Sequence, residues 1–232
     1  MISDKLEISI IIPSKNDEKI FLKNVESIKK YFQDKEWNYE LILVSNGSTQ
    51  ENIDEITKLE KKDFKYISIK QSGKGIAIKK GIENAKYEYI LFMDADFSVK
   101  ISELNKFINN HSPLGEVMVG SRRTKNSINK GTPLLRNIGG TVYLFLIKLL
   151  FDINLTDTQC GFKLFKHSEY LKFKHNLSYD NFSFDIEMLY YFSQNNKILE
   201  IPVNYIHHSD SKVSFIKDSL SMFSDLIKLR LR

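Results

Sequence analysis

Tyr89-Ile90-Leu91-Phe92-Met93-Asp94-Ala95-Asp96 runs an apolar stretch straight into two carboxylates. An apolar run of that length without alternation fits a strand buried on both faces of a sheet. Carboxylates directly behind such a strand stand at its carboxyl end, where open α/β sheets bind ligands. Asp94 and Asp96 offer hard oxygen ligands for Mg²⁺ or Mn²⁺. A bare Asp-x-Asp also arises in helix caps and solvated turns, so its place after the strand is what lends it weight.

Working outward, the same alternation recurs. Ile8–Ile12 is a β-branched run ended by Pro13, and a helical pattern carries Phe21, Leu22, Val25 and Ile28 on one side. Strands are expected at Tyr39–Val44, Phe64–Ile69 and Val117–Gly120, and helices at Ile53–Leu59, Gly75–Ala85 and Leu104–Ile108. Strands alternating with helices predict a doubly wound α/β sheet. Pro13–Glu18, Ser45–Ser48 and Asp94–Asp96 all fall at strand ends, which implies one shared site. The second half is less regular. Ser121–Thr132 is polar, basic and glycine-containing and reads as a mobile loop, and Leu134–Phe151 as an amphipathic helix. Cys160–Phe165 reads as a short strand, Phe184–Phe192 as a helix and Ile198–Val203 as a strand; Phe215–Arg232 is an amphipathic tail.

The 232 residues show no repeat and no low-complexity linker, so one domain is expected over 1–232. A net charge of +5 points to an anionic partner, and lysines spread along the chain without an arginine-rich tract disfavour nucleic acid. One cysteine, Cys160, permits no intrachain disulfide, and Met1–Glu7 lacks the marks of a secretory leader; both imply a reducing, cytoplasmic compartment. No stretch approaches the roughly 20 apolar residues of a membrane span. Val142–Phe151 and Phe215–Arg232 are suited either to lie on a membrane surface or to pack on the core or a second subunit. The oligomeric state is not readable from the sequence.

Several motifs arrive in the order found in family 2 glycosyltransferases of the GT-A fold. Ile10–Glu18 resembles their opening strand and loop, and Ser45-Asn46-Gly47-Ser48 their Asp-Asp-Gly-Ser turn. Gly73-Lys74-Gly75 resembles their Gly-Lys-Gly helix entry, Asp94-Ala95-Asp96 their metal motif and Gly120-Ser121-Arg122 the segment after the fifth strand. Asp157-Thr158-Gln159-Cys160-Gly161-Phe162-Lys163 and Phe184-Asp185-Ile186-Glu187 are similar to the polyprenyl- and dolichyl-phosphate glucosyl- and mannosyltransferases. The resemblance implies a mixed, Rossmann-like doubly wound sheet with helices on both faces and a C-terminal helical tail. It implies a nucleotide-sugar-binding half over 1–121, an acceptor-binding half over 122–213 and an amphipathic helix over 214–232. The activity implied is inverting transfer of a hexose from a nucleotide sugar, UDP-glucose first and GDP-mannose as alternative, to a polyprenyl phosphate.

The implied site has Pro13, Asn16, Asp17, Glu18, Asn46, Lys74 and Asp94 on the donor, and Asp94 and Asp96 on Mg²⁺ or Mn²⁺. Arg122, Arg136, Gln159 and Lys163 hold the acceptor, with Asp185, Arg122 and Arg136 as the catalytic set. Bland readings stand beside these. Asp17 and Glu18 also suit a helix cap, and Gly73 and Gly75 a tight turn. Glu187 suits orienting a neighbour, and His207 and His208 suit a structural or surface place. Where the family has paired aspartates this chain has Ser45 and Asn46, which weakens base recognition, because an amide accepts only through its carbonyl.

The acceptor decides the chemistry. A sugar hydroxyl needs a general base, for which Asp185 is the candidate. A phosphate monoester, with its second pKa at about 6, arrives already largely ionised and needs cations to hold it. Arg122, Arg136 and Lys163, with Lys125 and Lys130, supply those, which favours the lipid phosphate. The alternatives are a glycan-hydroxyl glycosyltransferase and a non-catalytic nucleotide-binding protein. A sugar nucleotidyltransferase would need a glycine-rich loop after the first strand, and Pro13–Glu18 holds no glycine.

Overall fold

The computed structural model describes residues 6–57, 64–109, 117–208 and 215–232. Strand β1 (Glu7–Ser14) leads into helix α1 (Glu18–Gln33), then β2 (Asn38–Asn46), α2 (Gln50–Thr57), β3 (Lys65–Ile69), α3 (Lys74–Glu83) and β4 (Tyr89–Met93). After α4 (Leu104–Asn109) come β5 (Val117–Ser121), the short β6 (Ile128–Lys130) and the long α5 (Leu134–Leu150). The chain continues through β7 (Phe162–Lys166), α6 (His167–Leu171), α7 (Phe184–Asn195), β8 (Ile198–Pro202) and β9 (Asn204–Ile206), and closes on α8 (Phe215–Arg230). The expected second helix, Ile53–Leu59, begins earlier, at Gln50, and Leu59 lies outside the described residues.

Seven strands form one sheet in the order β3-β2-β1-β4-β7-β5-β8. All run parallel except β7, which is antiparallel to both neighbours, so the sheet is mixed. The chain winds outward from β1 through β2 to β3, then returns to place β4 on the other side of β1. That reversal between β1 and β4 is where such sheets open a ligand crevice. Because β7 runs backwards, its beginning shares an end with the carboxyl ends of its neighbours: Met93 faces Phe162 across the ladder. The segments after β1, β2, β4 and β5 and the one before β7 are thereby gathered at one edge.

The apolar runs become the sheet interior. Ile8, Ile10, Ile11, Ile12, Leu41, Ile42, Leu43, Val44, Ile90, Leu91 and Phe92 are essentially inaccessible. Their two faces carry different layers. Ile10, Ile12, Leu43 and Met93 pack with Phe21, Ile28 and Phe107, while Ile11, Ile42, Ile90 and Phe92 pack with Ile78, Ile82, Phe184 and Phe192. The strand period of two sends alternate residues into these two layers.

Ser121–Thr132 is an ordered arm and not the mobile loop expected from its composition. Ile128, Asn129 and Lys130 pair in parallel with Asn204, Tyr205 and Ile206, and Ser127 donates to the Ser121 carbonyl through a 2.5 Å hydrogen bond. Polar, basic composition conceals a strand whose partner comes late in the chain. The outer helix α5 buries Ile147 but exposes Leu134, Leu135, Ile138, Val142, Phe145 and Leu149. Against it packs α8, burying Leu226 and Leu229 while Leu220, Phe223, Ile227 and Leu231 face outward. No helix among the described residues is long and apolar enough to cross a membrane.

Helix α3 lies close on the sheet because Gly81 has no side chain: an added Cβ would stand 2.2 Å from Ile11 Cγ2. Gly81→Ala gains roughly 1 kcal/mol of helix propensity. Ile11 is stiff and fully buried, so the overpacking cost of about 1–3 kcal/mol should win. Thermal melting should show a lowered Tm; an unchanged or raised Tm would mean that α3 can lift off the sheet freely.

Candidate active site

A chain of alternating charges crosses the gathered strand ends. Lys163, on β7, is 1% exposed and donates to Asp185 Oδ1 and, at 2.8 Å, to the Cys160 carbonyl. Asp185, in the first turn of α7 and 2% exposed, sits with Oδ2 3.6 Å from Lys74 Nζ. Lys74, first residue of α3, makes a 2.8 Å ion pair with Asp94 Oδ1. Phe92 offers its ring to both ammoniums, 4.9 Å from Lys163 and 5.6 Å from Lys74. Burial disfavours the charge on Lys74, but Asp94 and Asp185 outweigh it, and its pKa rises above the ordinary lysine value. Burial likewise works against ionised Asp94, yet Lys74 holds its carboxyl below the usual range. Asp96 moves the other way, raised by burial and by the negative charge of Asp94.

Close backbone approaches make this possible. A Cβ at Gly161 would fall 1.8 Å from Asp94 Oδ2, so the carboxylate lies against bare backbone, and the Gly161 carbonyl accepts the Asp94 amide at 3.0 Å. Gly73, with φ +153°, and Gly75 press on the entry to α7: their Cβ atoms would meet Asp180 O, in the segment before it, at 2.2 Å and Cβ of Phe184, its first residue, at 2.6 Å. The tight-turn reading of these glycines holds, and it is also what delivers Lys74 to the site.

At the carboxyl ends of β1 and β2, Asn46 is 3% exposed and donates to the Ser14 carbonyl at 2.7 Å, while its Oδ1 accepts the Gly73 amide at 3.1 Å. The amide thus braces β1 against the entry of α3, where a carboxylate could not donate. The structure shows an internal bracing role for Asn46, which the sequence reading expects beside a base. Glu18 is inaccessible; Oε1 accepts from Ser48 Oγ at 2.6 Å, and Oε2 has no hydrogen-bond partner among the described residues. Asn16, at φ 59°, accepts the Thr49 amide at 2.8 Å and knits the loop after Pro13 to the turn after β2. Asp17 stands at the N-cap of α1 but makes no side-chain cap.

Two acceptor candidates are placed differently from expectation. Lys163 is sealed inside the sheet as a counter-charge to Asp185, so it does not face an acceptor. Arg122 closes its fork on Asp157, Nε to Oδ2 at 2.6 Å and Nη2 to Oδ1 at 2.8 Å, so that edge is not open to a phosphate. The guanidinium also lies 5.2 Å from the Tyr205 ring centroid. Asp157 is in turn seated by Glu200, whose carboxylate accepts the Thr156 and Asp157 amides. The fork is planar and bidentate, the geometry for which arginine is suited. Gln159 keeps a buried Nε2 with no partner among the described residues. Arg136, in the first turn of α5, is half-buried and within electrostatic reach of His207, whose pKa burial and Arg136 both lower.

Asp185 therefore occurs as a fully ion-paired carboxylate, and Glu187 as a strut: it accepts from the Ser178 and Tyr179 amides and from Arg232. His207 and His208, read as structural or surface residues, follow β9 to the mouth of the site, where His208 acts electrostatically on Asp96. Tyr143 was not anticipated. Its hydroxyl, on the inner side of α5, is buried without a partner among the described residues, and burial followed by the field of Asp185 raises its pKa. Only its spacing opposite the exposed α5 stripe could have marked it. Cys160 is buried, its thiol pushed up to about 12 by desolvation, and it is not a nucleophile.

A divalent cation fits here. Two carboxylates stand at the end of β4, and Lys74 is ion-paired with Asp94 alone of the two; burial first, and then the charge of Asp94, raise Asp96. Among the described residues no group of three or more His, Cys, Asp or Glu is arranged as a metal cage. Mg²⁺ accepts such a site, with one or two carboxylates and the remaining positions filled by phosphate and water.

Residues 9–171 match the family described as Glycosyl transferase family 2. Human dolichyl-phosphate beta-glucosyltransferase is 30% identical over 97% of this chain and 75% of its own length. The proteins of the same name from Dictyostelium discoideum and Saccharomyces cerevisiae are 27% and 28% identical, over 99% and 98% of this chain and 75% of theirs. Among solved structures, glucosyl-3-phosphoglycerate synthase from Mycobacterium tuberculosis, in complex with Mn²⁺, UDP-glucose and phosphoglyceric acid, superposes with a TM-score of 0.73. That match has 14% identity and covers 97% of this chain and 80% of that one, a likeness of fold.

The buried pair Lys163–Asp185 carries a direct test. Among the described residues, Lys163→Met leaves Asp185 with only the longer contact to Lys74, and breaking a buried pair from one side costs about 3–5 kcal/mol. Urea unfolding should show a loss of that size, mostly recovered in Lys163→Met/Asp185→Leu. A loss below about 1 kcal/mol would mean that Asp185 does not depend on Lys163.

Proposed function

The chain belongs to glycosyl transferase family 2 and, within it, to the dolichyl-phosphate β-glucosyltransferase group, and from that premise we propose that it transfers glucose, with inversion, from UDP-glucose to a polyprenyl phosphate. The observation that carries this reading is the ion-paired state of Asp185. Its carboxylate, 2% exposed, has one oxygen engaged by Lys163 and the other facing Lys74, so neither is presented to a substrate hydroxyl, and a phosphate nucleophile needs no base. A glycan hydroxyl would need a base, and Asp185 was the candidate for that work.

On the donor side, the loop after β1, Asn46 and the entry of α3 form the wall for the nucleoside, with uridine the favoured base and guanosine the alternative. Lys74 presents its ammonium to the diphosphate while remaining held by Asp94 and Asp185. Asp96, with Asp94, is the seat proposed for Mg²⁺ or Mn²⁺, whose part when bound is to offset charge on the departing diphosphate. On the acceptor side, Arg136 and the exposed Lys125 and Lys130 supply positive charge, and Gln159 an unspent N–H donor. Arg122 acts through its fixed charge at the strand end; Asp157 orients it and gives up none of its geometry to the ligand.

The acceptor's polyprenyl chain requires a lipid surface, and the outer face of α5 and α8 suits one. Leu134, Ile138, Val142, Phe145 and Leu149 form one helical stripe, continued by Leu220, Phe223, Ile227 and Leu231, with exposed Lys148, Lys228 and Arg230 among them. Apolar residues edged by cations fit the anionic headgroup boundary.

Purified protein in anionic vesicles should move labelled glucose from UDP-glucose onto polyprenyl phosphate in the presence of Mg²⁺ or Mn²⁺, and not onto soluble sugars. Asp96→Asn should lose at least about 100-fold, the scale of removing a group that stabilises developing charge. A soluble sugar outcompeting polyprenyl phosphate, or full activity of Asp96→Asn in excess chelator, would contradict the reading. Phe145→Asp with Leu149→Asp should release the protein from vesicles in a flotation assay. Unchanged flotation would assign that face to protein contacts.

A further inference from the structure

We infer that Asp225, on the outer helix α8, is a positioning residue for the donor site, acting through the segment Tyr179–Ser183. Asp225 is 7% exposed, and Oδ2 accepts from Asn181 Nδ2 at 2.9 Å and from Ser183 Oγ at 2.7 Å. The Asp225 carbonyl takes the Tyr179 hydroxyl at 2.8 Å. One residue of α8 thus binds the segment at three places. Arg232 adds a second tie, donating to Glu187 at 2.8 Å and lying 4.9 Å from the Tyr179 ring.

The segment passes this constraint to α3. The Asp180 carbonyl accepts the Ile76 amide at 3.1 Å, and its carboxylate takes Gln71 and Lys79. Gly73 and Gly75 press directly on Asp180, Tyr179 and Phe184, with no room for a Cβ at either. Lys74 stands between those glycines, and Asp185, its second partner, follows the same segment. The bracket therefore sets both where α3 begins and where the carboxylate facing Lys74 sits. Packed interfaces of this kind shift between discrete arrangements and do not stretch. When the acceptor at Asp225 is lost, the buried Ser183 hydroxyl and the part-buried Asn181 amide lose their partner, and the segment must move to satisfy them.

The inference rests on the donor-site reading, and UDP alone is its probe. Calorimetric titration of UDP with Mn²⁺ should give a Kd about tenfold weaker for Asp225→Ala, because hydrogen bonds to a charged group carry free energies of that order. Asp225→Asn keeps one acceptor oxygen and should fall between. Leu229→Ala removes a buried apolar side chain from the same helix; it should lower Tm without changing the UDP Kd. If Asp225→Ala does not fold, Ser183→Ala tests the same bond from the other side, with a smaller loss in the same direction. Equal UDP affinity in wild type and in the Asp225 or Ser183 variant would overturn the inference, as would an equal loss in Leu229→Ala. A wild-type protein that binds no UDP would overturn the donor reading itself, and the inference with it.

Discussion

Lys163, Asp185, Lys74 and Asp94 alternate in charge across the carboxyl edge of the sheet, and the site has its shape because each compensates the next. Neither lysine could be sealed there alone. An ammonium taken from water costs several kcal/mol, recovered only where a carboxylate stands at close range with its other lone pairs satisfied. The four residues come from β7, α7, α3 and the turn directly after β4, so satisfying them fixes how those elements meet. Chemistry at the end of β4 is a consequence of this compensation. Asp94 is held ionised beside Lys74, while burial and the charge of Asp94 work against the ionised form of Asp96.

Around that line the protein places carboxylates engaged by its own backbone and side chains. Glu187 holds the amides of Ser178 and Tyr179, Glu200 those of Thr156 and Asp157, and Asp225 the side chains of Asn181 and Ser183. Each caps a loop that would otherwise carry buried donors without partners. Such loops are well suited to positioning functional groups, because their conformation is set by specific bonds and not by repetitive packing. The cost is that outer elements become part of the site. A helix whose other face is exposed and apolar, α8, sets the conformation of a segment beside the proposed diphosphate site.

The apolar runs made the sheet legible from sequence, since Ile8–Ile12 and Tyr89–Met93 admit little but buried strands. Motif order carried the family resemblance, and the strand-end positions of Pro13–Glu18 and Asp94–Asp96 gave the site its edge. What stayed hidden was pairing. Lys163 and Asp185 lie 22 residues apart and Arg122 and Asp157 lie 35 apart. A basic residue after a strand looks the same whether it points to a ligand or to a distant carboxylate. Lys163 was read as an acceptor ligand for that reason, and Arg122 as open. The Ser121–Thr132 arm was hidden likewise, because its strand partner β9 lies far along the chain. Asn46 seemed a weakened aspartate until the structure supplied a carbonyl for it to donate to.

The compensation of Asp94 by Lys74 is the claim on which the rest stands, and carboxyl ¹³C NMR titration of Asp94 measures it directly. In the wild-type protein Asp94 should titrate below the ordinary aspartate range, because Lys74 overrides the penalty of burial. In Lys74→Met, burial and the charge of Asp96 act unopposed by that ammonium, and the Asp94 titration should move up in pH. An Asp94 that titrates at its ordinary value in the wild type, or that does not move when Lys74 is replaced, would contradict the account.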